Sequence, residues 1–203
     1  MSIHSLFSTP LYEHQGSVEE VFLVQHEIKS ILPQILNTDT FENPAGWNDG
    51  VRTNIKSRYN TIADFQMKNL AGYIETHVRK YVQMIGAWEP MPNKLGHSWI
   101  NLVDNGTGQD WHQHQDATIS GTYYYQTSGD DGDISFRTPN QFIELELFSV
   151  GQTVNKFYNI KPKVGKLVLF PGWLSHRVEN NTSDNTRISI SFNYLRDNFT
   201  CQD

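Results

Sequence analysis

The chain has 203 residues, 37% of them hydrophobic and 19% charged, enough for one domain with a proper core and no need of disulfide or metal staples. A net charge of −6 and a pI near 5.7 argue against non-specific nucleic-acid binding, which needs a basic face. The lone Cys201 excludes an internal disulfide and fits a reducing cytosol. Neither a signal-peptide pattern nor an apolar run of about eighteen residues occurs, so the expected setting is the cytoplasm (of the host, for a phage-encoded chain), away from membranes.

Leu6–Tyr12, LFSTPLY, is short and apolar, and Pro10 limits it to an edge strand or extended arm. Ser17 then opens a helix with Glu19 and Glu20 in its first turn, where the helix dipole favours acids. Val21, Val24, Ile28, Ile31 and Leu32 recur at steps of three and four, and Pro33 is expected to end or kink the helix. Residues 37–59 are rich in Asn, Asp, Gly and Pro; an irregular connection of that length is expected to border an active site. Asn60 or Thr61 caps the clearest helix, whose stripe is Phe65, Leu70, Ile74, Val78, Tyr81, Val82 and Ile85, with Gly86 as its stop. Both helices read as packing elements.

From Ala87 the character changes to β-branched and aromatic runs separated by turn signals. Strands are expected at His97–Val103, Ile119–Gln126, Asp133–Arg137, Val154–Ile160, Lys166–Phe170 and Arg187–Tyr194, with a short one at Leu174–Val178. NGTG at 105–108, SGDDGD at 128–133 and KPKVG at 161–165 separate them. The fold class is mainly β within α+β: a helical part over 1–86 feeding a barrel or sandwich over 87–203, in one domain spanning 1–203.

His112 and His114 lie two apart, so on a strand both would face one way. With the distant His176 they supply the three donors that an open mononuclear metal site needs, and His114, Asp116 and His176 could do the same. His4, His14, His26, His77 and His97 lack such partners and read as structural or solvated. Arg187 opens the alternating strand RISISFNY, in which Ser189, Ser191 and Asn193 share its face and Ile188, Ile190 and Phe192 the other. An arginine there can pair bidentately with a carboxylate. Tyr124 shares a strand face with Ser120 and Thr122 and could reach the same carboxylate. Trp111 and Trp173, close to candidate ligands, could wall a pocket.

Together, His112-x-His114 after NGTG, then ISGTYYY, GKLVLFPGWLSHRVENN and RISISFN, resemble the iron(II)- and 2-oxoglutarate-dependent oxygenases. The likeness is strongest to the small oxygenases of bacteria and marine phages, which share an LF-x-TP-like arm (Leu6–Pro10) and a Ser98-Trp99-x-Asn101 strand. It implies a double-stranded β-helix, or jelly roll, with the N-terminal helices packed on its major sheet. It implies Fe(II) held by His112, His114 and His176, with 2-oxoglutarate chelating the metal and its distal carboxylate bound by Arg187, Ser189 and Tyr124. The reaction implied consumes O2, converts 2-oxoglutarate to succinate and hydroxylates a C–H bond of a small molecule or peptide, a peptidyl or free amino acid in the prolyl-hydroxylase manner. The superfamily usually has His-x-Asp or His-x-Glu, so His114-Gln115-Asp116 is the rival ligand set, leaving Asp116 otherwise to orient a histidine. A cupin-like metal-binding module and a structural jelly-roll protein, such as a virion component, are the other function classes; Arg187 argues against the first. The oligomeric state is left open.

Overall fold

The computed structural model describes residues 8–45, 50–86, 93–140 and 156–196. Among these residues, ten strands and three helices follow in the order β1 (Tyr12–Gln15), α1 (Val18–Thr38), β2 (Arg52–Thr53), α2 (Thr61–Asp64), α3 (Lys68–Met84), β3 (Asn93–Val103), β4 (Gln109–His112), β5 (Ala117–Gln126), β6 (Ile134–Arg137), β7 (Phe157–Ile160), β8 (Lys166–Pro171), β9 (His176–Val178) and β10 (Arg187–Arg196). They form a six-stranded sheet, β1-β8-β5-β10-β3-β2, and a four-stranded sheet, β4-β9-β6-β7; every strand pairing is antiparallel. This is the jelly-roll arrangement expected. The expected positions Leu6 and Val154 lie outside the described residues, and the N-terminal part is not purely helical, since β1 and β2 complete the two edges of the large sheet.

Two apolar layers hold the fold. The larger joins α1 and α3 to the outer face of the six-stranded sheet, through Val24, Ile28, Leu70, Ile74 and Val78 against Ile100, Tyr123, Leu167, Ile190 and Phe192. The smaller lies between the sheets and includes Tyr124, Ile134, Phe136, Val168 and Phe170. Strand alternation explains both, because each strand of the large sheet sends alternate residues to the helices and to the facing sheet.

The helices depart from the sequence expectation at two places. Pro33 does not end α1. It sits on the solvent side, where water can satisfy the carbonyl left without an N–H partner, while the fully buried Ile35 secures the last turn. Asp39 then caps the helix through its N–H to the Ile35 carbonyl at 2.9 Å, and its carboxylate is held by Arg58 Nε at 2.7 Å and Asn54 Nδ2 at 2.8 Å. Ser17 and Glu20 form the capping box that begins α1.

The second helix is broken. Asn60 caps the short α2 by accepting from the Ala63 N–H. Gln66 then takes a positive φ of 52°, and α3 starts afresh at Lys68. Its N-terminal amides have no local cap; Glu27 of α1 accepts from the Asn69 and Leu70 N–H groups, each at 2.9 Å. A carboxylate from a neighbouring helix thus stabilises the positive end of α3. Among the described residues, no helix is long and apolar enough to cross a membrane.

Ile190 is fully buried between the large sheet and the helices, whereas Val18 is 76% exposed. Ile190→Ala should cost about 2–5 kcal/mol and Val18→Ala no more than about 0.5 kcal/mol, as read from urea unfolding midpoints.

Candidate metal centre and anion pocket

His112 ends β4 and stands directly opposite His176 of β9, which in turn faces Phe136 of β6. His114 is not on the strand as expected. The chain turns after His112, and the His114 N–H donates to the Gly172 carbonyl at 2.8 Å while its own carbonyl accepts from Ala117 at 3.0 Å. That turn, not strand alternation, brings the third imidazole in. Ring centroids lie 4.2 Å apart for His112 and His176, 5.1 Å for His114 and His176, and 5.2 Å for His112 and His114. Each ring can offer one nitrogen such that all three nitrogens lie within 4.8 Å of one another.

The tautomers follow from the partners. His112 Nδ1 is 2.8 Å from the Asp110 carbonyl and His176 Nδ1 is 2.9 Å from the Leu174 carbonyl. A carbonyl only accepts, so both Nδ1 atoms carry the proton and both Nε2 atoms keep a lone pair for a metal. Burial, then the neighbouring His112 and His97, pushes His114 down to about 3; burial likewise takes His176 well below its ordinary value. Two of the rings are walled by aromatics: Trp99 lies 5.7 Å from His114, and Phe170 lies 4.6 Å from His176. Asp116 is exposed, stands outside the three-nitrogen group, and bears instead on His97, whose pKa it raises against the lowering by burial.

The histidines open onto a cleft of about 520 Å³, solvent mouth included, whose inner wall carries Arg187, Ser189, Ser191, Tyr124, Thr122 and Asn101. The polar face of β10 read from the sequence therefore does turn inward. Arg187 is only 2% exposed and its guanidinium lies 5.9 Å from the Tyr124 ring centroid. Ser189 pairs across the sheet with Tyr124 on one side and Asn101 on the other. One terminal nitrogen of Arg187 donates to the Asp131 and Gly132 carbonyls at 2.9 and 2.6 Å, and its buried Nε has no partner. Two carbonyls are weak compensation for a buried cation, and an orphaned N–H beside a cleft is what an anionic ligand would satisfy. Asn101 Oδ1, also buried in that wall, is likewise unpaired.

Several contributors were not foreseen. The 128–133 turn supplies the carbonyls that hold Arg187; its glycines marked a turn but not its destination. Val51, from the long connection expected to border a site, lines the cleft. Trp111 does not: it stacks on Phe157 at 5.5 Å and beneath Arg177 at 4.9 Å. Trp173 is half exposed and also lies off the cleft wall, so among the described residues the tryptophan at the site is Trp99.

Gly172 has no room for a side chain, because an added Cβ would stand 2.3 Å from the Ala117 carbonyl oxygen and 2.7 Å from that of His114. Gly172→Ala should therefore displace the 114–117 turn and lower metal affinity by about tenfold or more, measured by competition with a chromophoric chelator. The lowered His114 value also has a pH signature. The unfolded chain takes up a proton near pH 6.5, whereas the metal-free folded state resists until about pH 3. Stability of the metal-free protein should thus fall as pH drops through that window, with a shallower fall in His114→Asn, as read from urea midpoints between pH 7.5 and 4.5.

Residues 97–193, which contain all three histidines, Tyr124, Arg187 and Ser189, match the family model described as "Putative 2OG-Fe(II) oxygenase". Among solved structures, the chain is similar to a Pseudomonas putida prolyl-4-hydroxylase, at 13% identity, TM-score 0.61, covering 95% of each chain. It is similar to a Trichoplax adhaerens prolyl hydroxylase in complex with a hypoxia inducible factor peptide fragment, at 16% identity, TM-score 0.62, covering 94% of this chain and 86% of that one. It is similar also to HygX of Streptomyces hygroscopicus with nickel, 2-oxoglutarate and hygromycin B bound, at 12% identity, TM-score 0.61, covering 95% and 85%. No curated protein matches by sequence. The matched segment, just under half of the chain, forms the cleft and is similar to the 2OG-Fe(II) oxygenases, and the solved structures share the fold around it.

Proposed function

We propose that this chain, working as one domain in the cytoplasm, is an Fe(II)- and 2-oxoglutarate-dependent dioxygenase that hydroxylates a C–H bond. The observation that carries the reading is the buried Arg187, its Nε unpartnered, in the same cleft as three convergent imidazoles. His112, His114 and His176 would hold the iron. Arg187 would bind the distal carboxylate of 2-oxoglutarate, with Ser189 and Tyr124 beside it. Iron with 2-oxoglutarate supplies the activation of O2 and the oxidising power for the C–H bond.

The chain's own residues do the rest. His112 and His176 are oriented by backbone carbonyls through Nδ1, so no side chain must move for metal to bind. The imidazoles are neutral and contribute no charge, so the anionic cosubstrate and its pairing with Arg187 carry the charge balance. Phe136, Phe170 and Trp99 exclude water around the histidines, which strengthens the electrostatics within. Asn101 and Ser191, beside Ser189 on the inner wall, suit a polar substrate, a peptidyl or free amino acid or another small molecule. That the neighbours include a peptide-bound prolyl hydroxylase and HygX with hygromycin B bound is consistent with either class. A cupin-like metal-binding module has no use for a buried arginine with an orphaned N–H in the metal cleft, which disfavours that alternative.

Anaerobic Fe(II) titration with 2-oxoglutarate should give the visible charge-transfer band of the chelate, and air should then release succinate. Arg187→Ala should weaken 2-oxoglutarate binding by about thirtyfold or more, since truncating one partner of a buried charge pair costs at least ~2 kcal/mol. His112→Ala should lose iron and Asp116→Ala should keep it; the reverse pattern would move the metal to His114, Asp116 and His176. An unchanged band in Arg187→Ala would sink the cosubstrate assignment.

A further inference from the structure

His14 and His77, read from the sequence as isolated histidines, have partners after all. His14 on β1, Glu20 in the first turn of α1 and His77 on α3 can each offer one donor atom such that all three lie within 4.8 Å of one another. Among the described residues this is the second such group, and it lies on the opposite side of the large sheet from the cleft. His14 is paired across β1 and β8 with Leu167, whose side chain belongs to the layer under the helices. The His14 and His77 rings stack with centroids 4.1 Å apart and planes at 29°. Tyr73 lies against both, at 6.3 and 4.6 Å.

A network of hydrogen bonds does not account for this cluster. His14 Nε2 is buried and makes no hydrogen bond, and the Tyr73 hydroxyl beside it is in the same condition. His14 Nε2 stands 3.4 Å from Glu20 Oε2. A charge-assisted hydrogen bond would close that gap to about 2.7–2.9 Å. Two ligands on one tetrahedral ion, with bonds of about 2.0–2.1 Å, stand roughly 3.4 Å apart. The remaining partners also fit metal ligation. Tyr12 Oη lies 2.7 Å from His77 Nδ1, and a proton on that nitrogen leaves Nε2 as the donor, the usual outer contact of a metal-bound histidine. Glu20 Oε2 is fixed by the Ser17 N–H at 2.8 Å, so the carboxylate is oriented in advance.

We propose that His14, Glu20 and His77 form a second metal site, for a divalent ion of the zinc class. Two imidazoles and one carboxylate are a zinc donor set, with water in the fourth position. Its ligands come from three separate elements, so the ion clamps edge strand β1 to α1 and α3. The site owes nothing to the cleft chemistry, and its test is independent of oxygenase activity.

The chelator-treated full chain carrying His112→Ala and His114→Ala isolates this site. It should bind one zinc ion after titration with zinc chloride and gel filtration. Adding Glu20→Gln, which keeps the capping hydrogen bond to Ser17, should weaken that zinc by about tenfold or more, the loss seen even for outer contacts of metal ligands. No bound zinc in a double variant whose circular dichroism matches the wild type overturns the proposal. Should the double variant not fold, cobalt(II) is titrated into otherwise wild-type chains. Glu20→Gln and His14→Gln should each bind the second ion about tenfold or more weakly than the wild type, and the same titration curve in all three overturns it.

Discussion

The six-stranded sheet is buried on both faces, and this constraint organises the molecule. Each of its central strands must serve two environments with one sequence, and strand geometry allows that only by strict alternation. On β10, Ile188, Ile190, Phe192 and Tyr194 meet the helices, while Arg187, Ser189 and Ser191 form part of the cleft. A slip of one residue would put Arg187 among the helices and Ile190 in the cleft. Register is held by direct pairings on both sides, Ser189 to Tyr124 on β5 and Ser189 to Asn101 on β3. The helices, which pack on the opposite face of the large sheet, therefore matter to the cleft by fixing which face turns inward.

The inner face is electrostatically unbalanced. It presents a buried guanidinium with two carbonyls as partners and, nearby, three convergent imidazoles, of which burial favours His114 and His176 as neutral. A dication and a dicarboxylate would correct both features together, which is why the proposed assignment treats them as one unit. Where the superfamily's usual motif has a carboxylate, the cluster here has His114. Under the proposed assignment, the charge that such a carboxylate would bring would fall to the cosubstrate, and its pairing with Arg187 would matter more.

Local rules succeeded where a residue's environment was set by near neighbours in the chain. The capping box at Ser17 and Glu20, the apolar stripes of α1 and α3 and the alternation of β10 all belong to this group. They failed where a distant group took over a local role. Pro33 sits within α1 because the missing hydrogen bond points to water and Ile35 is held in the core. The predicted long helix splits because Met67 and Ile62 are both buried around a left-handed Gln66, with Glu27 of another helix capping the new start. Nothing near Lys68 in the chain could have announced that cap.

The sequence alone determined the fold class, the polar inward face of β10 and the identity of the candidate donors, because periodicity and residue chemistry are local properties. Tertiary structure decided how the donors converge. His114 joins His112 and His176 only because Gly172, from the far side of the chain, lets the 114–117 turn pack against it, and Asp116 is left exposed by the same turn. Likewise, His14 and His77 are ordinary histidines in the sequence and neighbours only once β1 and α3 lie side by side. Convergence across dozens of residues is set by sheet register and close backbone approach, and no window of sequence contains either.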